Sequence, residues 1–190
     1  MTCTIMLAKM AACTIVPGAG AVESRREAQG GGAAEALTIL VGTMTGTAQL
    51  VADEVADALK GRGIEAEVVA MDGLDAGVFG QGGSFLVCTS TYGQGDVPDN
   101  AQKLFADLER AKPDLARIAY GVIALGDRTY AQTFCFGGKR FDALLQSLGA
   151  RRIGEPMLHD ASAGTIPEEV AVEWIGPWAE LFRRQRDEAA

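Results

Sequence analysis

The chain predicts an open, doubly wound α/β sheet, and three observations lead there. Apolar, β-branched runs of strand length without polar alternation recur at residues 37–41, 84–89 and 118–125, the pattern of parallel strands covered on both faces. Stretches of helical periodicity separate them, so successive strands join through right-handed crossovers. All three runs end in loops rich in Thr, Ser, Gly and Tyr, and in open α/β sheets ligands bind beyond the carboxyl ends of the strands, where strand order switches. With two weaker strands, five parallel strands in three layers are expected.

The first strand, 37–41, runs into Gly42-Thr43-Met44-Thr45-Gly46-Thr47-Ala48. A helix follows, with Leu50, Val51, Val55, Ala58 and Leu59 on one side and Asp53, Glu54 and Asp57 on the other. Gly61 and Gly63 stop it, and residues 64–70 alternate as a strand nearer an edge. Residues 72–83 read as a Gly-rich connection with little to pack. After the strand at 84–89 comes Thr89-Ser90-Thr91-Tyr92-Gly93-Gln94-Gly95-Asp96, then a helix over 98–110 with Pro98 near its start. The strand at 118–125 ends in Gly126-Asp127-Arg128-Thr129-Tyr130, and a helix from Phe136 or Gly137 reaches Leu148. A last short strand spans 151–158. The closing helix has capping-box spacing at Thr165 and Glu168, a packed face of Val170, Trp174, Trp178 and Leu181, and Pro177 as an expected kink.

Composition bounds the rest. A chain of 190 residues with 48% apolar content suits one domain around a core, placed at 37–186, and no run of roughly 18 apolar residues proposes a transmembrane helix. Residues 1–36 are Gly/Ala-rich without turn-bounded periodicity and read as a disordered leader or an over-long N-terminus. The net charge of −8 falls entirely on the remainder, since Lys9, Arg25 and Arg26 balance Glu23, Glu27 and Glu35. Such a domain repels nucleic acid and anionic membrane and favours basic protein partners. Cys3, Cys13, Cys88 and Cys135 show no zinc spacing and the chain has a single histidine, so no metal site is expected and a reducing cytoplasm fits.

The first loop meets its helix at the N-terminus, where free N–H groups attract an anion. It has no Lys of a nucleoside triphosphate loop and no G-x-G-x-x-G for a pyrophosphate. Thr43, Thr45 and Thr47 around Gly46 leave a nest suited to a terminal monophosphate without a cation, or else an ordinary turn capped by Thr47. Tyr92 and Tyr130, two of three tyrosines, lie in the loops, where a planar ligand could stack between them. Cys135 has no neighbour to activate it and reads as packing or pocket wall; His159, beside Asp160, reads as a surface or strand-end histidine.

At these residues the chain resembles the flavodoxin-like FMN proteins. Thr43-Met44-Thr45-Gly46-Thr47-Ala48 is similar to the phosphate loop of the branch holding the FMN domains of sulfite reductase and cytochrome P-450 reductase. Residues 89–100 are similar to that branch's ring loop, and Ala124-Leu125-Gly126-Asp127 with Tyr130, Phe134 and Cys135 to its third loop. Ile166-Pro167-Glu168-Glu169 with Glu173-Trp174-Ile175 is similar to small stand-alone MioC-type flavodoxins.

The resemblance implies strand order 2-1-3-4-5 and bound FMN. Thr43, Met44, Thr45, Gly46, Thr47 and Ala48 would hold its phosphate. Thr89, Ser90, Thr91, Tyr92, Gly93, Gln94 and Gly95 would border the ring, with the Gly93 carbonyl accepting from the reduced N5–H. Leu125, Gly126, Asp127, Tyr130, Phe134 and Cys135 would close the other side, with Asp160 beyond. The segment from Tyr130 to Phe134 is one residue longer than usual, which leaves open which ring stacks there.

The implied function is a monomeric electron carrier. It takes electrons from a separate, basic-faced NAD(P)H-dependent reductase and passes them singly to an acceptor redox enzyme. An acidic surround opposes negative charge on a reduced cofactor and lowers its potential. The alternatives are an NAD(P)H:quinone oxidoreductase on the same fold, a flavin-free module, and a receiver domain, which the Gly42-Thr43 strand end makes weak.

Overall fold

The computed structural model describes residues 37–189; the leader expected over 1–36 lies outside the described residues. One parallel sheet has the order β2-β1-β3-β4-β5, with β6 also paired to β4. Its strands are β1 (Leu37–Gly42), β2 (Ala66–Ala70), β3 (Gly83–Ser90), β4 (Ile118–Gly126), β5 (Arg151–Arg152) and β6 (Met157–Asp160). The helices are α1 (Thr47–Lys60), α2 (Asp99–Ala111), α3 (Phe136–Ser147) and α4 (Pro167–Ala189). The implied order 2-1-3-4-5 is the observed one.

The all-apolar strands are central, as covering on both faces requires. On one face α1 and α4 pack Val51, Val55, Ile175 and Trp178 against Ile39, Leu86 and Ile123. On the other, α2 and α3 pack Leu104, Phe105, Phe141 and Leu145 against Leu40, Val87 and Val122. β2 is the half-exposed edge strand that its alternation indicates.

Four expectations are corrected. The final strand is two pieces: Gly154 at φ +64 breaks the run, Pro156 has no N–H for the ladder, and β4 pairs with β5 and then β6 across the gap. The 72–83 connection does pack, because a 3₁₀ turn at Ala76–Phe79, capped by Asp75, buries Phe79 against Phe85 with ring centroids 4.7 Å apart. The α4 face is turned by one residue: Phe182 is buried and Leu181 exposed, and on α1 Leu50 is likewise exposed. The capping box does not form, since α4 opens at Pro167, whose missing N–H costs nothing there, and the Thr165 hydroxyl lies 3.1 Å from His159 Nε2. Pro177 sits inside α4 without dividing it.

Register carries the strand ends to a common edge. Gly42 lies beside Thr89, Ser90 beside Leu125, Leu125 beside His159, and Gly126 beside Asp160. Four sequence-distant loops therefore leave the sheet side by side.

Candidate functional site

At that edge lies a cavity of about 640 Å³, lined by Thr47 from the first loop and by Ser90, Thr91 and Gly93 from the second. The third loop contributes Leu125, Gly126, Asp127, Tyr130 and Thr133. A fourth segment, with His159, Ala161, Thr165 and Pro167, completes the wall.

In the first loop Gly46 adopts φ +89, open to glycine without steric cost, and its N–H donates to Thr43 Oγ1 at 2.9 Å. Gly46 is the N-cap of α1 and makes no side-chain cap, so Thr47 is the first helical residue and not the cap that the ordinary-turn reading requires. The Thr45 and Thr47 hydroxyls sit 3.4 Å apart at the positive end of α1. Asn100 of α2 fixes this loop: its Oδ1 accepts from Thr43 N at 2.9 Å and its Nδ2 donates to Asp72 at 3.1 Å. Two of the six expected residues turn elsewhere. Met44 accepts from Asp99 N through its sulfur at 3.3 Å, and the Ala48 side chain is buried in the core.

Thr89 is fully buried against Gly42 and donates to Ser90 O at 3.2 Å, so it supports the second loop from beneath. Beyond it a tight turn closes, in which Tyr92 N–H donates to Asp96 O at 3.0 Å and Gly93 takes φ +54. Tyr92 and Gln94 stand in solvent, Tyr92 half exposed at 51%. Gly95 is pressed against Thr133 and Phe136 and does not itself line the cleft. Asp96 pairs with Arg140 of α3 at 3.0 Å, and Gly137 N–H donates to the Thr91 hydroxyl at 3.1 Å, so α3 anchors the turn twice.

The third loop separates its two aromatic candidates. Tyr130 lines the cleft and is 69% exposed, whereas Phe134 is buried beneath Arg128 and Lys139, whose charged groups lie 4.8 and 5.2 Å from its ring centre. Asp127 lines the cleft, and one of its carboxylate oxygens, Oδ1, accepts from Thr129 N and Oγ1 at 2.7 and 2.6 Å. Cys135 is packing: it is fully buried, donates to Ala124 O at 3.3 Å, and burial pushes its thiol up to about 11.

Asp160 lies just behind the wall. Its carboxylate accepts from the Ser162 hydroxyl at 2.7 Å and from Arg128 N at 2.9 Å, tying the third loop to the fourth. These hydrogen bonds, with the Arg128 charge beside it, hold Asp160 below the usual 3.8. A depressed carboxylate contributes stability above its unfolded pKa and loses it as pH falls through the folded value. Asp160→Asn is therefore expected to lower the melting temperature at neutral pH, the gap to wild type closing well below pH 3.8. A gap of constant size across the acid range would show that the charge has no part in it.

His159 is at a strand end, as expected, but it is not on the surface. It is 4% exposed, and Nε2 lies 3.2 Å from Thr165 O as well as beside the Thr165 hydroxyl. The His159–Thr165 pairing that shapes the fourth wall is absent from the sequence-derived set, as is Asn100.

Comparison with known proteins agrees with this geometry. The family model described as flavodoxin matches residues 39–174. Flavodoxin YqcA of Escherichia coli (strain K12) is 43% identical over 144 residues, covering 76% of this chain and 96% of that one. Protein MioC of the same organism is 34% identical over 150 residues, with 77% and 98% covered. A solved structure, a cysteine-to-alanine mutant of flavodoxin from Pseudomonas aeruginosa, aligns with TM-score 0.70 and 34% identity over 78% of this chain and 99% of that one. Many unrelated proteins share a doubly wound sheet. A match running from β1 into α4, with relatives aligned over nearly their whole length, is far narrower, and this chain belongs to the flavodoxin family of FMN-binding electron-transfer proteins.

Proposed function

We propose that FMN sits with its phosphate on the Thr45–Thr47 turn and its ring in the cleft between the Gly93 turn and Tyr130. The chain would then carry single electrons between a separate NAD(P)H-dependent reductase and an acceptor enzyme. The cleft itself supports this most: about 640 Å³ of space, well within the range of small-molecule sites, opening beside neutral hydroxyl and N–H donors at a helix N-terminus. Bound FMN supplies reversible one-electron chemistry that no side chain here could. The chain's own work is to bind and orient. Thr45 and Thr47 present hydroxyls, the α1 N-terminus adds its dipole, Asn100 holds Thr43, and His159 with Thr165 keeps the fourth wall closed.

An absorption spectrum with FMN added, followed through stepwise anaerobic reduction, tests the reading. A yellow protein reduced in two separable one-electron steps, oxidising no NAD(P)H alone, is expected. A colourless protein that ignores FMN would refute it, and steady NAD(P)H oxidation would point to the quinone oxidoreductase, which the family match does not favour.

The reductase would dock beside the phosphate end. A groove between α1 and α4 is lined by Asp53, Glu54, Glu168, Glu169 and Glu173 around Leu50 and Ile166, which are 58% and 53% exposed. Carboxylates around exposed apolar side chains complement a Lys/Arg-rich face with an apolar centre. Glu54→Lys with Glu169→Lys is expected to slow reduction by such a reductase about tenfold or more at low salt, with the difference shrinking as salt rises. Equal rates at every ionic strength would exclude the groove.

A further inference from the structure

Arginines gather at the opposite edge of the sheet, where the FMN reading assigns them no work. Gly83 and Ser84 at the start of β3, Ala119 on β4, Arg151 on β5, and Phe182, Gln185 and Arg186 near the end of α4 border a cavity of about 150 Å³. Arg117, Arg151 and Arg186 all line it. Among the described residues none of the three forms an ion pair, although the chain has a net charge of −8 and other arginines find carboxylates. Three like charges facing one small space repel one another, and an anion between them reverses the sign of that interaction.

A second observation narrows the ligand. Gln185, which also lines the cavity, has its Oε1 buried without a hydrogen-bond partner. An orphaned acceptor calls for a donor, while the guanidiniums call for acceptor oxygens. A phosphate carrying one proton meets both: its charged oxygens match the planar guanidinium forks, and its P–O–H can donate to Gln185. The space, equal to about five waters at roughly 30 Å³ each, admits one tetrahedral group of this kind.

We propose that this edge is a second phosphate site, held by Arg117, Arg151 and Arg186 and independent of the neutral nest that faces FMN. It would take a free phosphate ion or the phosphate of a monoester. Bound there, the group joins β5, the strand before it and the last helix, and stabilises the fold by mass action.

The test is calorimetric titration of the full chain with inorganic phosphate, with and without one equivalent of bound FMN from which the excess has been removed, chloride holding ionic strength constant. Expected is one saturable phosphate that FMN does not displace. Arg117→Gln and Arg151→Gln are each expected to weaken it about tenfold or more, on the scale of a lost charge-assisted hydrogen bond. Arg184→Gln removes the same charge from outside the cavity and is expected to leave it unchanged. All three arginines are exposed, and the far-ultraviolet spectrum verifies folding of each variant. Glycerol phosphate separates the sources: tighter binding than inorganic phosphate identifies a monoester, weaker binding the free ion, and both support the site. No saturable binding of either probe, displacement by FMN, or equal weakening in Arg184→Gln would overturn it.

Discussion

A Thr47→Glu protein is expected to purify folded but colourless, with its affinity for FMN lowered more than about a thousandfold. Thr47 lines the cleft as the first residue of α1, with its hydroxyl 3.4 Å from that of Thr45. Removing a hydroxyl that binds a phosphate costs about 1.5–3 kcal/mol. A carboxylate near the phosphate adds repulsion of about 4 kcal/mol per pair of unit charges at about 4 Å and an effective dielectric of about 20. Together these exceed the roughly 4 kcal/mol that a thousandfold change requires. Folding responds with the opposite sign, because an acid in the first turn of a helix stabilises it by about 0.3–1 kcal/mol. Fluorescence titration with FMN and a thermal melt of the apoprotein therefore move apart: binding collapses while the melting temperature holds or rises. Thr47→Ser, which keeps the hydroxyl, is expected to stay within about tenfold of wild type. Wild-type FMN affinity in Thr47→Glu would remove the first loop from the site.

Thr47 was legible in the sequence because the hydroxyls and glycines of each loop follow directly on an apolar run, and the end of such a run marks the binding edge of the sheet. The same logic located Ser90, Thr91, Gly93 and Gly126, and the family resemblance added Leu125; all five line the cleft. It could not resolve Tyr130 from Phe134, since both rings lie in one loop and only the packing of Arg128 and Lys139 over Phe134 buries one and frees the other. The fourth wall was hidden for a different reason. Its residues carry no local signature, and His159 reaches the site only because β6 aligns it with Leu125 after the break at Gly154. Asn100 was invisible as a support because its partners, Thr43 and Asp72, are distant along the chain. Local pattern thus reported strand ends and loop chemistry, while register and long-range hydrogen bonds decided which side chains the loops finally present.

Trp178→Ala is expected to cost about 3–5 kcal/mol of the roughly 5–15 kcal/mol that a domain of this kind holds. The indole is 2% exposed, stacks on Phe182 at 5.5 Å with ring planes 6° apart, and donates from Nε1 to Ile153 O at 2.9 Å. That carbonyl lies where the sheet is interrupted between β5 and β6, so the indole supplies a hydrogen bond that the ladder there does not. Trp178→Phe, which keeps a ring but leaves Ile153 O without its donor, is expected to cost about 1–3 kcal/mol. The indole also fills the space above Gly121 on β4, where an added Cβ would lie 2.5 Å from Trp178 Nε1. Gly121→Ala should therefore destabilise the wild-type protein, yet in the Trp178→Ala background the same methyl enters the vacated space and should cost little or stabilise. Denaturant unfolding of all four proteins, without FMN and at unchanged m, measures this difference as a coupling energy. Additive costs would mean that the indole and Gly121 do not share one space; opposite signs for one methyl group would show that the glycine makes room for the ring.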